Sequence, residues 1–193
     1  MPILGSAMTK ISRLQNGCKL AVLWLCAVLA ALVLIAGAVE ARVVDRLAGY
    51  VAACEGALLT GNVAAFADLD IETEQVSETL SIFGWRGAAE PGLTVSVLVR
   101  SNEGRRTGVC DVSYLPTQPD AEVMAGVAAL PGDLAAAAME DPGHRLELTP
   151  SGQVILTCAG ARGLALFMDP DAQARGFAAQ VATVPPHRMS CEG

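Results

Sequence analysis

The sequence predicts an α+β fold: an N-terminal apolar helix followed by one antiparallel sheet of five or six strands with packed helices. Three observations predict it. Residues 20–39, LAVLWLCAVLAALVLIAGAV, are apolar at every position but Gly37 and carry no charge. Residues 93–115 alternate with period two about a polar turn, the pattern of a β-hairpin. The rest of the body mixes segments of helical period with short apolar runs punctuated by Gly and Pro, so helices are expected to bury one face on a sheet.

The apolar block comes first in the chain. Twenty residues at about 1.5 Å each give about 30 Å of helix, the thickness of a bilayer's hydrocarbon core. Charge is segregated around it. Of the net charge of -7, residues 1–39 carry +3 (Lys10, Arg13 and Lys19, with no acid) and residues 40–193 carry -10 (10 Arg against 20 Asp and Glu). The basic flank 1–19 is expected to stay in the cytoplasm and the remainder to cross the membrane. Two mature forms fit the sequence. In one, residues 20–39 are kept as an inner-membrane anchor and 42–193 form a periplasmic domain. In the other, 20–39 are a signal-peptide core removed near Ala41, where Val39-Glu40-Ala41 offers a cleavage site, and the domain is soluble in the periplasm. Lipid attachment at Cys26 is disfavoured by the large Leu25 before it. The bacterial periplasm is an association, from Ala-rich composition and Arg used in preference to Lys.

Residues 42–60 place Val43, Leu47, Tyr50, Val51, Cys54 and Leu58 on one helical face, and Gly61 ends the helix. From 61 to 92 the pattern is weak. Asp68, Asp70, Glu72 and Glu74 alternate with Leu69, Ile71 and Thr73, as in an exposed strand or extended loop; a solvated acidic surface is favoured over a weak cation site, because the spacing lacks the Gly and terminal Glu of a calcium loop. Leu80–Trp85 reads as a helix end or a short strand, with Trp85 as a core plug. Leu93–Arg100, the turn Ser101-Asn102-Glu103-Gly104 and Arg105–Leu115 form the hairpin, with Cys110, Val112 and Tyr114 on one face. Arg105 and Arg106 at its mouth are expected to keep a sheet edge soluble, with an anion contact as the alternative.

Thr117-Gln118-Pro119-Asp120 reads as a helix start. That helix is expected to run to about Leu130, to break at Pro131-Gly132, and to be followed by a short piece capped by Asp133 over Leu134–Glu140. Three short strands follow, Arg145–Thr149, Gln153–Ala159 and Gly163–Met168. Asp169-Pro170 is expected to cap a last helix reaching Val181, which Pro185-Pro186 ends. The element order is similar to that of profilin-like and roadblock folds, but no motif selects a family.

Cys54, Cys110, Cys158 and Cys191 are an even set in an exported segment, so two disulfides are expected, with Cys54–Cys110 and Cys158–Cys191 the preferred pairing. No CxxC, GxSxG, HExxH, GxxxxGK[ST] or GxGxxG occurs, so the sequence points to no metal, no cofactor and no nameable catalytic residue. His144 and His187 are the only histidines. The acidic body is unsuited to gripping nucleic acid. These features lead to the expectation of an envelope domain that binds a protein partner or a small ligand; the alternative is an envelope hydrolase whose carboxylate pair is assembled from distant strands.

Overall fold

The computed structural model describes residues 42–140, 144–149, 152–159, 162–169, 172, 175–185 and 189. The anchor or signal core at 20–39, its basic flank, Cys191 and His187 lie outside the described residues. The fold departs from the expected α+β arrangement of five or six strands. It is mostly sheet: one antiparallel sheet of eight strands, with two α-helices among the described residues, the first starting at residue 42.

Helix α1 covers residues 42–60. All six residues of its apolar face are buried, and Ala57 joins them. Gly61 ends it at φ 76°, donating its N–H to the Ala57 carbonyl at 3.0 Å. A short 3₁₀ turn, Ala64–Phe66, leads into β1 (Asp70–Val76), followed by β2 (Leu80–Arg86), β3 (Leu93–Asn102) and β4 (Arg105–Tyr114). The β3–β4 hairpin turns on Glu103 and Gly104, both at positive φ, a two-residue reversal whose twist matches the strands. Helix α2 (Ala121–Glu140) is followed by β5 (His144–Thr149), β6 (Gly152–Ala159), β7 (Arg162–Met168) and β8 (Phe177–Val184).

Two expected helices are corrected. The break at Pro131-Gly132 does not occur, and α2 is one helix. Asp120 caps it, its Oδ1 accepting the N–H groups of Glu122 and Val123 at 2.9 and 3.2 Å. Pro131 removes one backbone donor, but Val127, Leu130, Pro131, Ala135 and Ala138 are buried on either side of it, and the alanine run has high helix propensity. The second correction is larger. The helix expected after Asp169 is strand β8, with Phe177, Ala179 and Val181 buried and Gln180 exposed in strict alternation.

The sheet order is β1-β2-β3-β4-β8-β7-β6-β5. A helix followed by a four-strand meander therefore occurs twice, and the two units join through β4 and β8 at the centre. The seam aligns Cys110 with Val181, Val112 with Ala179 and Tyr114 with Phe177. These six side chains share one face with Leu93, Val95 and Val97 of β3. Both helices cover that face: α1 is tied to Cys110, and α2 packs on β5 and β6. By length and composition α2 would also suit a membrane crossing, yet its buried side chains make it part of this helix layer. The core is completed by an aromatic column from α1 through the 3₁₀ turn to β2. Tyr50 and Phe66 are 5.9 Å apart between centroids, Phe66 and Trp85 4.9 Å, and Trp85 stacks on Phe83. Burying a side chain such as Phe66 or Leu47 fully contributes about 1.5–3 kcal/mol.

Cys54 of α1 and Cys110 of β4 form a disulfide, both fully buried, with Cα atoms 5.6 Å apart. Cys158 is also disulfide-bonded. Its expected partner, Cys191, lies outside the described residues, but Met189 approaches Gly163, the cross-strand neighbour of Cys158.

Two predictions follow from these constraints. Replacing both Cys54 and Cys110 by Ala should lower the unfolding free energy in urea by about 4 kcal/mol, the chain-entropy value for a loop of this length, and non-reducing tryptic mapping should join peptide 47–86 to 107–145 and peptide 146–162 to 189–193. In the hairpin, Glu103→Asn should stabilise the fold by about 0.5 kcal/mol, because Asn tolerates the left-handed region better than Glu; chemical denaturation measures it.

Candidate functional site

Three places bring chemistry together. The first is a polar cluster where α1 meets the 3₁₀ turn and the loop before β3. Arg46 and Tyr50 stand one helical turn apart on α1, so both reach the same neighbours. The Arg46 guanidinium donates to the Tyr50 hydroxyl at 2.9 Å and to Asp68 Oδ2 at 2.7 Å, and it pairs with Glu90. The Tyr50 hydroxyl in turn donates to Asp68 Oδ2 at 2.8 Å. Burial pushes the Tyr50 phenol up to about 12, and its hydrogen bond to Asp68 works in the same direction. Burial opposes ionisation of Asp68, but the hydrogen bonds from Tyr50 and Arg46 outweigh it and hold the carboxyl below its ordinary value.

This chemistry is that of a latch. Asp68 and Glu90 are the carboxylates the fold draws together here, and both are paired with one arginine. A carboxyl acting as general acid needs a raised pKa, whereas that of Asp68 is lowered. At this cluster the two carboxylates are therefore held as ion-pair partners of Arg46. The remaining acids of the 68–74 segment are spread along the edge strand β1, whose seven residues are all exposed, with Glu72 paired to Arg86 at 2.9 Å. Among the described residues no group of three or more His, Cys, Asp or Glu is placed to hold a metal.

The arginines of the hairpin mouth are also resolved. Strand β4 lies between β3 and β8, but its pairing with β8 begins at Val109, so Arg105 and Arg106 stand on the end of β4 that extends past that seam. The Arg106 guanidinium lies against Gly61 at the end of α1, and Arg162 of β7 donates to the Leu59 carbonyl at 3.0 Å. Two cations thus meet the negative end of the helix.

The second place is the sheet face away from the helices. The registers align Ile82, Leu98, Val109, Ala182, Ala165 and Leu156 in one row that crosses six consecutive strands. Ala165 is buried and the other five are half-buried. The adjoining row carries Ser96, Asp111, Gln180 and Phe167. Gln180 donates to Asp111 Oδ1 at 2.7 Å, and Phe167 remains 41% exposed. A depression of about 470 Å³ lies here, floored by β4 and β8. Sequence reading missed this surface, because it exists only once β8 separates β4 from β7.

The third place is a hollow of about 190 Å³ between α1 and α2, over β5 to β8. His144, singled out in the sequence for its rarity, lines it. Of the four cysteines proposed from sequence, Cys54 and Cys110 are together in the core, while Cys158 lies on the opposite, helix-free face.

Comparison with protein-family models, curated proteins and solved structures found no match.

Both tyrosines of the chain give a spectroscopic test of the packing. Burial raises the Tyr114 phenol as well, assisted by the charges of Glu90 and Asp120. At about pH 10, where a free phenol is half ionised, the folded chain should show less phenolate absorbance than the unfolded chain. The sign of the linkage follows. The tyrosine contribution to stability is complete below about pH 10 and is lost as pH rises towards the folded values. The Asp68 contribution is present above about pH 4 and is lost as pH falls below it. Ultraviolet titration with parallel unfolding curves at each pH checks both limbs.

Proposed function

We propose that this chain is an exported envelope domain, held at the inner membrane through residues 20–39 or released by cleavage near Ala41, that works by binding a partner protein on the helix-free face of its sheet. The apolar row from Ile82 to Leu156 carries this reading. A single exposed apolar side chain on a sheet is ordinary, but five half-buried ones in register with the buried Ala165, across the face away from α1 and α2, make a continuous strip. Five interstrand spacings give the strip a length of about 24 Å. An amphipathic helix of about 16 residues lying across the strands matches that length. The charge of -10 on residues 40–193 favours a partner with basic flanks.

The buried disulfide supports an oxidising compartment, and the charge split on either side of residues 20–39 supports the orientation. A hydrolase is the less supported reading, since Asp68 and Glu90 are both committed to Arg46.

Site-specific photocrosslinking in the native cell tests the proposal. A crosslinking residue at Leu98 or Val109 should give a discrete adduct to one protein through an apolar-striped helix, and one at Ala129, on the solvent side of α2, should not. Introducing Leu98→Glu should abolish the adduct formed from Val109. No adduct at the sheet positions, or equal adducts at Ala129, would reject the assignment.

A further inference from the structure

The hollow between the helices exists because α1 presents small side chains to it. Ala48, Val51, Ala52 and Glu55 follow one another at helical spacing on the side of α1 that faces α2. The two alanines end at Cβ, so they cannot reach Leu134 on α2, and the space above the sheet stays open. Its floor is apolar, formed by Ile155 of β6, Leu164 and Leu166 of β7, and Val181 of β8. At about 190 Å³ it exceeds the cavity of about 150 Å³ that lodges a benzene molecule in an apolar protein interior.

Its polar groups among the described residues are few, and one of them is anionic. Among the described residues Glu55 is the only carboxylate lining the hollow; it is exposed and makes no hydrogen bond or ion pair with any of them. The Thr157 hydroxyl and the His144 imidazole, from paired positions on β6 and β5, stand at the β5 side. An apolar floor with one anionic group at the mouth selects by charge as well as by shape. A neutral apolar molecule would leave the carboxylate unused, and an anion would be repelled by it and by the acidic body.

We infer that the groove between α1 and α2 is a binding site for a small organic cation, an ammonium group carried on an aryl or short alkyl body, with the body on the floor formed by Ile155, Leu164 and Leu166 and the ammonium at Glu55. This site is on the face opposite the proposed protein-binding strip, so the two assignments stand or fall separately.

The test uses the full-length chain in detergent, with benzylamine as the probe and benzyl alcohol and benzoate as controls of similar shape. Methyl resonances of Ala48, Ala52, Leu134 and Leu164 report the site directly. Benzylamine should shift them saturably, with benzyl alcohol weaker and benzoate without effect. Glu55→Gln, a substitution at an exposed helical position, should weaken benzylamine by roughly three- to fivefold, the range for a solvent-exposed ion pair, and leave benzyl alcohol unchanged. Ala52→Leu, which fills the hollow, should abolish saturation by both. The inference is overturned if no probe shifts these methyls saturably, if benzoate binds as well as benzylamine, or if Glu55→Gln leaves benzylamine affinity unaltered; the last two results hold whether or not the Ala52 variant folds.

Discussion

The pairing of β4 with β8 joins two units through strands that neither share a hairpin nor follow one another in the chain, and its register decides what every other layer meets. It aligns Cys110 with Val181 and Tyr114 with Phe177, which carries the buried face of the first meander across into the second. With that alignment fixed, the sulfur of Cys110 lies under α1, and the bond to Cys54 holds the first helix over the centre of the sheet rather than over its own meander alone. The seam also has a steric requirement. At Gly176, just before β8, a Cβ would lie 1.9 Å from the Tyr114 carbonyl oxygen, so only glycine lets the returning chain come this close. Such a contact gives the register little freedom to slip, because a one-residue shift would turn Phe177, Ala179 and Val181 to solvent.

The two faces of the sheet then have different fates. One is covered by α1 and α2, which leave a hollow between them where α1 presents Ala48 and Ala52. The other has no helix among the described residues and carries an apolar strip beside a polar row centred on Asp111 and Gln180. An antiparallel sheet commonly leaves one face to water, with polar residues there. This strip departs from that habit, and the departure is the reason for assigning it a partner. The latch of Arg46, Tyr50, Asp68 and Glu90 serves the covered side, fastening the start of α1 to two loops and closing the end of the aromatic column.

Local signals were legible where one residue's neighbours in sequence are also its neighbours in space. The core face of α1, the β3–β4 hairpin with its tight turn, and the burial of Trp85 all follow from spacing over a few residues. The pairing of Cys54 with Cys110 was favoured because a cysteine on the inner face of a helix needs a partner on a strand facing it. The misread elements have separate causes. In FAAQVATV the small side chains of alanine satisfy a helical stripe and a strand alternation equally, so period alone could not separate β8 from a helix. Pro131 and Gly132 are local breakers, yet burial of Leu130, Pro131 and Ala135 on the sheet outweighs them. In β1 every residue is exposed, so its alternation reads equally as an exposed strand or an extended loop.

The sequence alone sets the distribution of charge and apolarity: residues 1–39 at +3, an apolar block of membrane-spanning length at 20–39, and an acidic body carrying four cysteines. Those properties are sums and short-range patterns, which need no contacts to be read. Only the tertiary structure decided that the body is an eight-stranded sheet, that Arg106 and Arg162 meet at the end of α1, and that six apolar residues from six strands form one strip. Each of those depends on which strands are neighbours. That choice is made by the long-range seam between β4 and β8, whose hydrogen bonds join residues about seventy positions apart.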